Sequence, residues 1–359
     1  RYPLWSRGLG DVYKRQGGGN GSRPATTQEN MVGVGGVEAA SSAAIMSLCV
    51  VRSSVNIDET FQVPHIVRPG ETISSSAMWS RPGGKGANVA AVLGLAGVRA
   101  RMLGAVGEDA KWPIRCLEER HVDTSCMYVS PDVPTGRAFI QLSQGDGENS
   151  IVLLKGANFA LDTPLDDVRR WLSPEVTHLI LQNEIPLAST IAYVQHAQSL
   201  SICTVLNPSP MLTPDELRAF PWAGLHVLIV NEGESAELQA ALGPDARTLA
   251  DVPCLAPIPW LVVTRGSQGS SAGVILDGKR TWIDVPASRT THVVNTTGAG
   301  DTYTGYLVAG LMTTDHWTID RVRAVLQRAS VAAAMAVEVD GAMDSIPAAN
   351  EVEARCRSL

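Results

Sequence analysis

The chain has 359 residues, 45% hydrophobic and 18% charged, a composition that suits a globular protein with a sizeable core. Its formal net charge of -7 counts against a nucleic-acid binder or a protein drawn to anionic membranes, because both need a basic surface. No apolar run reaches the about 18 residues of a membrane span. Dispersed histidines give no metal-ligand spacing, and 6 scattered cysteines without a CxxC pair predict reduced, buried thiols in a cytoplasmic protein.

Residues 1–45 differ in character from the remainder of the chain. The string "RYPLWSRGLGDVYKRQGGGNGSRPATTQEN" is rich in Gly, Arg and polar residues and has no helical or strand period. A disordered tail or non-native extension is expected there, and Glu38 with its neighbouring serines speaks against a signal peptide. The folded domain is expected over residues 46–359.

From Met46 short apolar runs alternate with longer helical patterns. The runs are "SLCVV", "RARMLGAVG", "THLILQ", "SICTVLN", "LHVLIVN" and "WLVVT". Helix candidates include "GANVAAVLGLAG", "LASTIAYVQHAQSL", "GESAELQAAL" and "TIDRVRAVLQRASVAAAMAVEV". This alternation predicts an α/β fold with a mostly parallel central sheet and helices on both faces. Residues 61–80 and 135–155 instead show period-2 stretches and turn signals, "QGDGEN" among them. They predict a small antiparallel β lid inserted into the α/β body.

Polar clusters close the buried runs: Asn56-Ile57-Asp58, Gln182-Asn183-Glu184, Asn207-Pro208-Ser209, Asn231-Glu232-Gly233-Glu234 and Thr264-Arg265-Gly266-Ser267. One such cluster is what any loop looks like. Five of them on one edge of a parallel sheet point to a ligand site.

Two glycine turns sharpen the expectation. Gly298-Ala299-Gly300-Asp301 leads straight into a helical pattern, so its backbone N–H groups can meet an anion at the positive end of the helix dipole. Such a pocket stabilises charge on a transferring phosphoryl group, and Asp301 can accept the proton of an alcohol beside it. Taken alone, the string fits an ordinary capped helix equally well. It is neither a GxxxxGK[ST] loop nor a GxGxxG fingerprint. The second turn, Gly83-Gly84-Lys85-Gly86, opens a helix whose first turn carries Asn88. Backbone donors and that amide suit sugar hydroxyls, and Lys85 suits a phosphate.

The two glycine motifs at this separation resemble the signatures of the ribokinase-like carbohydrate kinase family. So do "SSVNIDETFQVPHIVRPGETISS", "TGRAFIQLSQGDGENSIVLLKGAN", "LILQNEIP", "LNPSP", "LIVNEGE", "VVTRGSQG" and "VAAAMAVEVDGAMDSIP", in family order over nearly all of Met46 to Pro347. The resemblance implies an ATP-dependent transfer of the γ-phosphoryl group to the primary hydroxyl of D-ribose, with Mg2+ accompanying ATP. It implies that Asn56, Asp58, Gly84, Lys85, Gly86, Asn88 and Glu184 face the sugar, with Asp301 as base and Gly298, Ala299 and Gly300 as the anion hole. Nucleotide contacts would come from Asn231, Thr264, Arg265, Gly266, Ser267, Gln268, Gly269, Gly300, Asp301 and Ser330, and Glu234 would act on magnesium indirectly. Asn295, Thr297, Ala336, Val339, Gly341 and Ser345 match a loop that binds an activating potassium ion. A homodimer formed through the lid is also implied.

Three positions depart from the family pattern. Asn295 stands where aspartate is usual; its amide oxygen can coordinate but carries no charge, which counts against potassium activation. Ser53 stands where glycine is usual, and Ser330 replaces a larger side chain near adenine. The same chemistry on fructose, a nucleoside or another sugar is the sister reading. A catalytically silent sugar- or nucleotide-binding protein, or a dehydrogenase, would be a different class; the intact Gly298–Asp301 string favours a kinase.

Overall fold

A computed structural model describes residues 47–145, 147–160, 165–314 and 316–358. The tail expected over residues 1–45 lies outside the described residues. A nine-stranded sheet forms the spine. From one edge its strands are Lys279–Val285, Ser270–Leu276, Trp260–Thr264, Val227–Asn231, Cys203–Asn207, Val176–Gln182, Leu48–Arg52, Arg99–Leu103 and Val122–Asp123. The last seven pair in parallel, and the first two add an antiparallel hairpin at the Trp260–Thr264 edge. All six apolar runs read from the sequence lie in strands, "RARMLGAVG" splitting at Gly104 into Arg99–Leu103 and Ala105–Gly107. Leu48–Arg52 is buried along its whole length, as an internal parallel strand covered on both faces must be.

Two apolar cores flank the sheet. One packs the helices Lys85–Leu95, Ala299–Leu311 and Ile319–Ala336, and the other packs Leu165–Trp171, Leu187–Ser199 and Glu232–Leu242. The Ala299–Leu311 helix is deeply enclosed, with every residue from Thr302 to Leu311 buried. Gly305 lets it close on Val92 and Gly310 on Val325, where an added Cβ would collide. Side chains such as Leu307, buried completely, contribute about 1.5–3 kcal/mol each.

Strand order reverses at Leu48–Arg52, the seventh strand of the nine. From Leu48–Arg52 it runs one way through Arg99–Leu103 and the other way through Val176–Gln182. Ligands bind at such a switch point, beyond the carboxyl ends of the strands. The two strands are stitched there: Ser53 Oγ donates to Gln182 Oε1 (2.8 Å) and Ser54 Oγ to Glu184 Oε2 (2.5 Å). Ser53, at a position where the family pattern has glycine, thus ties the switch together.

Over this point stands a separate four-stranded sheet, ordered Ala77–Gly83, Asn56–Val63, Gly136–Ser143, Asn149–Leu154. Its outer pairings are antiparallel and the central one is parallel. It begins at Asn56 rather than at residue 61, so Asn56 and Asp58 sit at its foot instead of trailing a core strand. Met78, Ile151, Val152, Leu153 and Leu154 leave an apolar surface exposed on it.

Among the described residues no helix is long and apolar enough to cross a membrane, and no group of three His, Cys, Asp or Glu could hold a metal ion. All six cysteines are unpaired; Cys49 is buried, but Cys254 is exposed.

Candidate active site

Gly298 opens the Ala299–Leu311 helix at φ 80°, a left-handed conformation that costs a residue bearing a Cβ roughly 1–2 kcal/mol. A Cβ there would also lie 2.9 Å from Ala342 Cα. Gly300 is different, since a Cβ on it would meet nothing within 4 Å. Packing therefore does not demand that glycine. Bare backbone facing open space at a helix N-terminus is what an anion can approach.

Asp301 sits in the first turn of the same helix, and Asn88 Nδ2 donates to its Oδ2 at 2.9 Å. Burial pushes its carboxyl up to about 6, against the pull of the Lys85 charge and the Asn88 bond, while Glu184 adds repulsion. Asp58 is pushed further, to about 7, by burial first and then by the Glu184 and Asp301 carboxylates. Its carboxyl lies against Gly83, where any Cβ would collide with it. Glu184 accepts from Ser54 Oγ and, at 3.3 Å, from Lys85 N. Three carboxylates and one lysine thus converge from four separate stretches of chain. Asn88 Oδ1 is buried here without a hydrogen-bond partner, a deficit of about 1–3 kcal/mol that a polar ligand can relieve.

Asn56 is held rather than free to swing. Asn158 Nδ2 donates to Asn56 Oδ1 (2.7 Å) and to Val55 O (3.1 Å), and Val55 N donates back to Asn158 Oδ1 (2.9 Å). Gly84, at φ 90°, brings the Lys85–Leu95 helix so close that a Cβ would sit 2.7 Å from Asn56 N. Gly86 packs on Ser53, beneath the same strand end. Sequence reasoning did not single out Asn158. A signal existed: Lys155-Gly156-Ala157-Asn158 repeats Lys85-Gly86-Ala87-Asn88. In both copies the alanine N–H ties to a neighbouring loop, Ala87 to Ser54 O (2.9 Å) and Ala157 to Pro134 O (2.8 Å).

The residues expected around a nucleotide line the adjoining edge. Asn231 and Thr264 are register partners at the ends of neighbouring strands. Asn231 caps the Glu232–Leu242 helix, accepting from Glu234 N (2.8 Å) while its own N–H donates to Glu234 Oε2 (2.9 Å). That capping box orients the Glu234 carboxylate. Arg265 to Gly269 form a tight turn closed by Arg265 N to Gly269 O (2.7 Å), with Gly266, Ser267 and Gln268 at its crest. Arg265 itself pairs outward with Asp284 at 2.8 Å. Ser330 accepts from Ser288 N (3.1 Å) and donates to Pro286 O (3.3 Å), so its hydroxyl serves the loop beside it. A cleft of about 1010 Å³ opens there, lined in part by Ala287, Ser288, Gln327 and Ser330. Tyr303 OH donates to Ser270 Oγ (2.8 Å), fastening the Asp301 helix to the strand Ser270–Leu276.

The positions matched to a cation loop also come together, and the oxygens of three of them already take part in hydrogen bonds. Asn295 Oδ1 accepts from Thr297 N (2.9 Å), and its Nδ2 donates to Asp340 Oδ1 (3.0 Å). Ala336 O accepts from Val339 N (3.3 Å), and Ser345 Oγ donates to Ala342 O (3.1 Å). Arg81 Nη1 lies 2.8 Å from the point where a Cβ on Gly341 would be. A monovalent metal ion there would share the Asn295 and Ala336 oxygens with these bonds and lie beside a guanidinium, a poor place for a second positive charge.

Three comparisons bear on this geometry. The sequence pattern described as "pfkB family carbohydrate kinase" matches residues 46–349. The chain is 30% identical over 310 residues to the bifunctional ribokinase/ribose-5-phosphate isomerase A of Fructilactobacillus sanfranciscensis, covering 84% of this chain and 55% of that longer protein. It resembles the ribokinase of Cryptococcus neoformans in complex with ADP, with a TM-score of 0.75 at 42% identity over 86% of this chain and 99% of that one. The Arabidopsis thaliana ribokinase complexed with ribose and ATP gives a TM-score of 0.72 at 26% identity over 86% and 97%.

Proposed function

The chain belongs to the pfkB family of carbohydrate kinases, and from that membership and the site's geometry we propose that it phosphorylates the primary hydroxyl of D-ribose with ATP, giving ribose 5-phosphate and ADP. The observation that carries the reading is the junction of Gly298, Gly300 and Asp301: a left-handed glycine at the helix start, open space at Gly300 and a part-buried carboxylate anchored by Asn88. In the reaction the hydroxyl oxygen forms a bond to the γ-phosphorus, the bond from phosphorus to the ADP oxygen breaks, and the hydroxyl proton passes to Asp301. The phosphoryl-transfer transition state is loose, so Asp301 aligns the nucleophile more than it strips it. The backbone amides from Gly298 to Gly300 meet the charge on the migrating group.

Asn56, Asp58, Glu184, Lys85 and Asn88 are the sugar contacts in this reading. Asp58, at about 7, is part protonated at neutral pH and can donate as well as accept. Thr264, Gly266, Ser267, Gln268 and Gly269 approach the nucleotide, and the cleft beside Ser330 receives the base. Glu234, oriented by its capping box, and Asn231 would hold the hydration shell of a magnesium ion accompanying ATP, which would supply neutralisation of phosphate charge. The four-stranded sheet acts as a lid that excludes water from the phosphate. Its exposed Met78, Val152 and Leu154, which the register puts on the face away from Asp58, make the surface through which two copies would pair. Ribose is favoured because the Arabidopsis relative holds it on the same fold.

The test is ADP release measured against ribose, fructose and a set of nucleosides. Ribose should give the highest kcat/KM. A different acceptor ranking first would displace ribose, and no turnover with any acceptor would displace the kinase activity itself.

A further inference from the structure

In this kinase family the loop at 336–345 is matched to a monovalent cation, yet here a protein cation already reaches it. Arg81 belongs to the lid strand Ala77–Gly83. Its Nη2 lies 2.8 Å from Asp340 Oδ2, its Nε lies 3.9 Å from Asp344 Oδ2, and its Nη1 lies over Gly341. Asp344 is shared with Arg120 (3.1 Å), and Asp340 also accepts from Asn295 (3.0 Å). The carboxylate missing at position 295 is thus replaced by Asp340 one hydrogen bond away, and that carboxylate is paired with a guanidinium.

We propose that Arg81 is a tethered cation that takes over the role of the activating metal ion, so that phosphoryl transfer in this chain is independent of potassium and gated by the lid instead. The geometry links the parts. Ala342, next to Gly341, packs on Gly298, where the Gly298 Cβ position is 3.0 Å from Ala342 O. Charge balance on the loop is therefore felt at the anion pocket. At its other end Arg81 is the register partner of Asp58 in the lid. The strand pair that carries Asp58 to the sugar thus also carries Arg81 to the loop, so movement of the lid moves both. Arg81 acts as a positioning residue, touching neither sugar nor nucleotide. Its ion pairs are partly exposed and individually weak, so the effect lies in where the charge sits, not in added stability.

This rests on the kinase reading, and the experiment separates the two. Thermal unfolding of the free protein is recorded in KCl, NaCl and choline chloride at equal ionic strength, because exposed pairs are screened by salt. ADP release with ribose is recorded in the same salts. The wild type should show the same Tm in all three and rates within about twofold. The variant R81Q should lose roughly tenfold in kcat in choline with little change in the ribose KM. R81K should retain most of the rate. The double variant R81Q/N295D should gain a saturable, potassium-specific rise in both Tm and rate. A wild type whose Tm and rate both climb with potassium overturns the proposal, as does an R81Q that keeps full rate in choline. If no acceptor turns over in any salt, the kinase reading fails, and the Tm series of wild type and double variant still decides whether this loop takes a metal ion.

Discussion

Replacing Asp301 with Asn pulls stability and catalysis in opposite directions. The amide oxygen can keep the bond from Asn88 Nδ2, so packing changes little while the charge is lost. In the folded protein this carboxyl is raised from an ordinary 3.8 to about 6, mainly by burial. Between those values the native state holds the proton that the unfolded chain releases, so stability falls as pH rises through that window. A shift of about two units at 1.36 kcal/mol each makes the ionised form a burden of about 3 kcal/mol above pH 6. Coupling to Glu184 and Asp58 lowers the recoverable part to about 2 kcal/mol. D301N should therefore be more stable than the wild type by about 2 kcal/mol at pH 8, with the gain fading to nothing near pH 4. Its sugar-dependent ADP release should fall by roughly 10²–10⁴-fold. Urea unfolding at pH 4, 6 and 8 beside the kinase assay measures both. A variant less stable than wild type at pH 8, or a gain that ignores pH, would refute the reasoning; so would near-normal turnover.

The two glycines of the Gly298–Asp301 turn should behave oppositely. Gly300→Ala should fold with unchanged or slightly higher Tm yet lose at least about 100-fold in kcat, whereas Gly298→Ala should lose about 1–3 kcal/mol of stability because its φ of 80° and the Ala342 backbone both oppose a Cβ. Asn158→Ala leaves Val55 N and O unpaired and Asn56 unanchored; a cost of about 1–3 kcal/mol and a ribose KM raised roughly tenfold are expected from denaturation and kinetics. Val152→Glu, on the exposed lid face, should turn a dimer into a monomer in sedimentation velocity while leaving Tm nearly unchanged, and a wild type that sediments as a monomer throughout would dispose of lid pairing.

The central sheet was legible because its strands are short continuous apolar runs, which only a position covered on both faces requires. Gly298 to Asp301 and Gly83 to Asn88 were legible because the demand on the backbone is local and glycine announces it. The edge hairpin Ser270–Leu276 with Lys279–Val285 was not assigned, although Asp277 and Gly278 supply the two positive φ angles of a tight hairpin turn. Asn158 and Arg81 stayed hidden for a different reason. Each acts on residues about 100 or more positions away, and no spacing rule reaches across a fold. Glu234 shows the converse: its spacing from Asn231 is that of a capping box whatever else it does, so local pattern alone cannot separate scaffolding from chemistry.

The helix that carries Asp301 is wedged glycine to valine between two neighbours and bolted to the next strand by Tyr303. It behaves as an anvil. With that partner held fast, movement during a reaction cycle would fall to the four-stranded sheet whose strand Asn56–Val63 bears Asn56 and Asp58, and a substitution that stiffens this roof should lower turnover without touching the anvil.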